Sequence, residues 1–257
     1  MAAAPVLPPS AAPIPEVAPL SQGARIVNTF VAPSKTFTDL RRSASWWAPF
    51  LLLAIVSSLF AYAVGAKVGY AKAGDNIMQT RPKQLDRLEK LKTSDPASYD
   101  KTMQMVEKQT MIGTYAFPVI DLVILLIVAG LLLGTFTFVA NAKVSFKVVL
   151  AIVVYASLPG ALRYLLATLT LFAGVSPDGF NVQNPVATNL GILFSAVDNP
   201  VLYTVGSMID IFALWTMTLT AIGFTCVSKV KLGTALAIVF GWYIAFILLV
   251  AGLTSLA

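Results

Sequence analysis

The sequence predicts an all-α integral membrane protein. The expected form is a helical bundle of five transmembrane helices, with a small extramembrane helical hairpin between the first two. Three observations predict it. The 257 residues are 57% hydrophobic and only 12% charged, about half the charged fraction of an ordinary soluble domain, roughly 25%. Mean hydropathy is +0.79. The apolar residues gather into runs long enough to cross a bilayer, about 20 residues each. The same composition excludes several chemistries. There is no His and a single Cys, Cys226. Ser-His hydrolases, Cys-His proteases, rhomboid-type proteases and HExxH metalloenzymes are therefore ruled out. So are an internal disulfide and a CxxC motif. No catalytic residue, cofactor or metal site is expected. The net charge of +6 comes largely from Lys and Arg beside apolar runs, where they anchor spans. No basic stripe with interleaved aromatics is present, so no nucleic-acid partner is expected.

Residues 1–23 are rich in Ala and Pro. Proline cannot continue a helix, so an extended, disordered tail is expected. The tail lacks the basic start and unbroken apolar core of a signal peptide. Residues 24–45 place Ile26, Phe30 and Val31 on one helical face. Pro33 interrupts the pattern, and Phe37 with Leu40 resumes it. Flanked by basic residues including Arg41 and Arg42, this reads as two short amphipathic turns at the membrane surface.

The first span is expected at about 46–66. Trp46 and Trp47 suit an interfacial belt, and Arg41-Arg42 a cytoplasmic flank. Twin Arg before an apolar run also resembles an export signal, but four more spans follow. Residues 67–112 form a polar insert. Leu85, Leu88 and Leu91 make one apolar stripe, and Asp86 precedes Lys90 by four. Asp95 as N-cap and Pro96 at the first helical position start a second helix. The stripe is expected to pack these two helices together. The second span is placed at 115–141. Its Gly130 and Gly134 are four apart, a spacing that lets a neighbouring helix approach. The third, at 144–173, is expected to kink at Pro159-Gly160. Residues 175–200 hold no Lys or Arg, and their apolar stretch Leu190–Ala196 is too short to cross. Asp198-Asn199-Pro200 starts the fourth span, 201–226. The fifth covers 233–256. Cys226 reads as a packing residue.

Lys143, Lys147, Lys229 and Lys231 lie in two short loops, against none in 175–200. Short loops govern orientation, so the N-terminus is expected inside and the C-terminus outside. The insert 67–112 then lies outside with its nine Lys and Arg.

Asp121, Arg163 and Asp210 fall well inside spans. Counted along the helices, they lie about 9, 15 and 14 Å below the outer face. Matching depth suggests one carboxylate–guanidinium–carboxylate cluster, with Tyr155, Tyr164, Thr204 and Ser207 near in sequence. It reads as a packing salt bridge, or as a polar site for a lipid headgroup, ion or proton. A Gly-x-Gly-Asp context is missing at Asp210, which argues against an aspartyl intramembrane protease.

Phe30-x-x-Pro33-x-x-x-Phe37-x-x-Leu40 before the first span, a five-span body and Asp210-x-x-x-x-Trp215 together resemble the prokaryotic branch of the Yip-domain family, named for Ypt/Rab-interacting membrane proteins. The resemblance covers roughly residues 25–256. It implies a cytosolic N-terminus and five spans. In eukaryotes it implies trafficking roles and contact with prenylated small GTPases. The Asp-Leu-Tyr-Gly-Pro signature of those members is absent from residues 1–45. The combined expectation is a non-enzymatic, membrane-organising or partner-binding protein of a bacterial inner membrane. Its partners would be membrane lipids, proteins that meet 24–45 and 67–112, and a second copy of itself. The alternative is a small transporter, channel or lipid scramblase using Asp121, Arg163 and Asp210.

Overall fold

The computed structural model describes residues 18–256, and the described residues are all-α. Most of the Ala/Pro tail, residues 1–17, lies outside that range; the chain is already helical from Gln22. Two short helices, α1 (Gln22–Val31) and α2 (Pro33–Asp39), precede the bundle. Ser21 caps α1 by accepting from the Ala24 amide. Pro33 opens α2, where its missing N–H costs nothing.

The first long apolar helix is α3 (Trp47–Lys67). A turn through Gly69, at φ 81°, leads into α4 (Tyr70–Gln79). A left-handed φ is open to glycine without a Cβ clash. The polar insert continues as α5 (Pro82–Ser94) and α6 (Pro96–Tyr115). The expected hairpin is α5 and α6, and the insert adds a third helix before it. The extra helix, α4, packs on α6, where a Cβ on Gly74 would meet Val106 Cγ1 at 2.8 Å. Asp95 caps α6, accepting from Ser98 N at 3.1 Å, with Pro96 at its first position.

The second span, α7 (Phe117–Ala140), ends on Asn141 in the left-handed region, φ 51°. Next come α8 (Phe146–Ala156) and α9 (Leu158–Phe172), which meet at Ser157 ahead of Pro159. Together they form the expected kinked span. From Val149 to Ala156 every residue of α8 is buried, so α8 is the central rod. Phe136 of α7 stacks on Phe224 of α11 (Ile211–Val227) beside it.

Among the described residues, four helical segments are long and apolar enough to cross a membrane: α3, α7, α8 with α9, and α12 (Leu232–Leu256). The expected continuous fourth span is not one helix. It is α10 (Pro200–Met208) and the shorter apolar α11, separated at Ile209 and Asp210. At 17 residues α11 is about 26 Å long, close to the hydrocarbon thickness of about 30 Å. A fifth crossing built on α11 is consistent with this length.

The small-residue spacing at Gly130 and Gly134 is not used as expected. A Cβ on either glycine would meet nothing within 4 Å. Close approach occurs elsewhere. A Cβ on Gly223 of α11 would collide with Ile152 of α8 and come within 3.2 Å of Phe37 of α2.

Candidate functional site

A cavity of about 1180 Å³ opens among α3, α7, α9, α10, α11 and α12. Its lining takes in the turn from α4 to α5, Thr80 to Gln84, together with Pro200 and Thr254. Leu53, Leu125 and Met217 contribute apolar lining. Asp121, Arg163, Tyr164, Thr204, Ser207 and Asp210 all line it. So all three intramembrane charges face one space.

They do not form the expected ion-paired cluster. The described residues form ion pairs elsewhere, at Arg25–Asp39 and Lys72–Asp178. Arg163 Nε is buried with no hydrogen-bond partner in the protein. Asp210 is spent locally. It is 4% exposed and caps α11. Oδ1 accepts from Phe212 N at 2.8 Å and Ala213 N at 3.3 Å, and Oδ2 accepts from Thr188 Oγ1 at 2.5 Å.

That cap explains how a helix can break at this depth. An unpaired backbone group costs several kcal/mol without water. Here several of the freed groups find partners. The Tyr243 hydroxyl of α12 donates to Met208 O. Ile209 O accepts from Leu190 N at 3.3 Å, and Ile211 N donates to Thr188 O at 3.2 Å. The Leu190–Leu193 turn presses so closely on α10 that a Cβ on Gly206 would sit 2.8 Å from Gly191 N. Asn184 and Asn189 complete the wall. Asn189 Nδ2 donates to Asn184 Oδ1 at 2.6 Å, and Asn184 Nδ2 donates to Ser207 Oγ at 3.3 Å. Thr188, Asn184, Asn189 and Tyr243 are thus site residues that the sequence reading missed. An Asp just ahead of an apolar run is an N-cap signal, and it was the one usable clue.

The loop that carries these residues is held from outside the bundle. Asn76 of α4 donates to Pro177 O at 2.8 Å and Phe180 O at 3.0 Å. Lys72 pairs with Asp178 at 2.6 Å. That hydrogen bond raises the lysine above its ordinary pKa. Tyr155 is not near the site. It donates to Gln22 at 2.8 Å, which ties α8 to α1.

The segment 24–45 docks on the bundle. Phe37 and Leu40 are fully buried, and α2 lies along α11. Phe30 meets Trp215 edge-on at 5.6 Å. Arg41 and Arg42 are exposed, as are Val27 and Val31. Pro33 is the first residue of α2. Trp242 Nε1 donates to Thr135 Oγ1 at 3.0 Å, and Cys226 packs at the core edge.

Phe30, Pro33, Phe37 and Leu40 thus belong to the two helices docked on α11, which carries Trp215 and is capped by Asp210. The family model described as the Yip1 domain matches residues 27–253. The chain belongs to the Yip1 domain family. The match runs from the second half of α1 through α2, the polar insert and the apolar helices to near the end of α12 of this Yip1 domain. No curated protein and no solved structure matches the chain.

Proposed function

We propose that this Yip1-domain protein is a non-enzymatic, membrane-organising or partner-binding protein of a bacterial inner membrane, with its N-terminus cytoplasmic and its C-terminus outside. The observation that carries this reading is how its surface divides. α5 has no buried residue. By contrast, α12 is apolar along its length and buries only Ala235 and Val239, whereas α8 is buried from Val149 to Ala156. The chain therefore offers an exposed polar helix face for proteins and an exposed apolar wall for lipid or a second copy. Exposed Val27 and Val31 on α1, with Arg41 and Arg42 exposed just after α2, support a resting place on the inner membrane surface.

The cavity favours a second reading, a small transporter, channel or scramblase. Proteoliposomes separate the two. The organising reading expects lipid scrambling and ion flux no faster than in protein-free vesicles. Flux that disappears in a folded Arg163→Gln variant would replace it with the second reading. Asp210→Asn is the poorer probe, because it perturbs the cap of α11.

A further inference from the structure

We propose that the cavity beneath the α4–α5 turn binds a phosphate group carried on an anionic phospholipid, with Arg163 as its main contact. The cavity has two chemically distinct kinds of lining. The polar part includes Arg81, Lys83 and Arg163, with Tyr164, Tyr203 and Ser207 as hydroxyl donors. The apolar part includes Leu53, Leu125 and Met217. Three cations face two carboxylates there, and Asp210 already accepts from three donors. The Arg163 Nε is buried and has no hydrogen-bond partner in the protein. A guanidinium at such depth is costly alone, and its planar fork suits a phosphate oxygen pair.

Arg163 lies nine residues before the end of α9, about 14 Å along the helix. Leu53 lies fourteen residues before the end of α3, about 21 Å. Arg163 therefore sits nearer the polar insert than Leu53 does, the order of a headgroup above an acyl chain. The volume, about 1180 Å³, exceeds the roughly 300–1,000 Å³ of ordinary small-molecule pockets. A free phosphate would fill the polar part only. The proposal shares its cavity with the transport reading above, but requires only that lipid binds, not that it moves.

The test is native mass spectrometry of the full chain in detergent, titrated with phosphatidylglycerol, with diacylglycerol and with inorganic phosphate. One phosphatidylglycerol per chain is expected, and diacylglycerol should bind far more weakly. Arg163→Gln should weaken the lipid about tenfold or more, as loss of a charge-assisted bond implies; Arg163→Lys should recover part of that. Gly160→Leu guards against misfolding. Gly160 lines the cavity one turn before Arg163, and a Cβ there meets nothing within 4 Å. A leucine also favours the helix more than glycine does. This variant should stay folded and lose the lipid. Unchanged binding in both folded variants would overturn the proposal. Inorganic phosphate that binds alone and displaces the lipid would overturn the lipid assignment in favour of a free anion. Scrambling measured alongside keeps the two ideas apart: Arg163-dependent binding without scrambling upholds this site and removes the transport reading, and scrambling without such binding does the reverse.

Discussion

Arg25 is among the largest fully buried side chains of the bundle, at 2% exposure. A single apolar face would not predict a buried cation there. Its Nε donates to Asp39 Oδ2 at 2.7 Å and its Nη1 to Ser43 O at 2.9 Å. Its own carbonyl accepts from Thr29 and Thr36, each at 2.8 Å. Asp39 also accepts from Leu20 N at 3.3 Å. The clasp fixes the angle between α1 and α2, and so presents Phe37 and Leu40 to α11. Removing one partner leaves a buried charge alone, a loss of about 3–5 kcal/mol. Asp39→Ala should therefore lower the thermal midpoint of the detergent-solubilised protein markedly. The paired change Arg25→Met with Asp39→Leu should restore most of it. A double variant as unstable as the single one would show that the clasp is needed for more than neutralising charge. In the sequence Arg25 counts as one more inner-face cation. Only the fold shows that it is spent on Asp39.

At the level of elements, the long spans are legible because lipid leaves a helix no choice but an unbroken apolar run. The break at Ile209 is not legible in the same way. Hydropathy runs through it, and no proline marks it. What divides α10 from α11 is a carboxylate turned onto its own backbone, with Thr188 arriving from a loop 22 positions away. The depth of Asp121, Arg163 and Asp210 can likewise be counted from sequence. Their lack of pairing cannot, because it depends on where Thr188 and the N–H groups of Phe212 and Ala213 stand. The glycines teach the same lesson. Spacing at Gly130 and Gly134 permits a close neighbour, and none comes within reach. Gly206 has the neighbour. Gly206→Ala should cost about 1–3 kcal/mol by overpacking, seen as a lower thermal midpoint, whereas Gly134→Ala should not destabilise. In the insert, Asp95 lies below its ordinary pKa because the Ser98 hydroxyl and amide hold the charged form. A lowered folded pKa gives stability that is present above the unfolded value, 3.8, and is lost as pH falls through the folded one. Hydrogen exchange in the first turn of α6 should accelerate in Asp95→Ala at neutral pH. In the wild type the same amides should lose protection only in strong acid. Equal protection in both proteins at neutral pH would remove the cap's role.

Across the whole molecule, burial falls from the central α8 to the bare α12, and the polar insert lies at the end of α3 and the start of α7. An outside insert follows from N-inside insertion, and a cysteine map tests it. In a Cys226→Ser background, Ser94→Cys at the exposed α5–α6 tip should react with a membrane-impermeant maleimide added to intact spheroplasts. Labelling only after lysis would reverse the orientation. The docking of α2 on α11 has a consequence for how the protein is made. The helix that receives Phe37 is translated nearly 190 residues after it, about 10–40 s at ordinary elongation rates of roughly 5–20 residues per second. Throughout that interval the newborn arm carries Phe37 and Leu40 uncovered beside the translocation machinery, so the bilayer surface or a chaperone must shelter it until the late helix arrives.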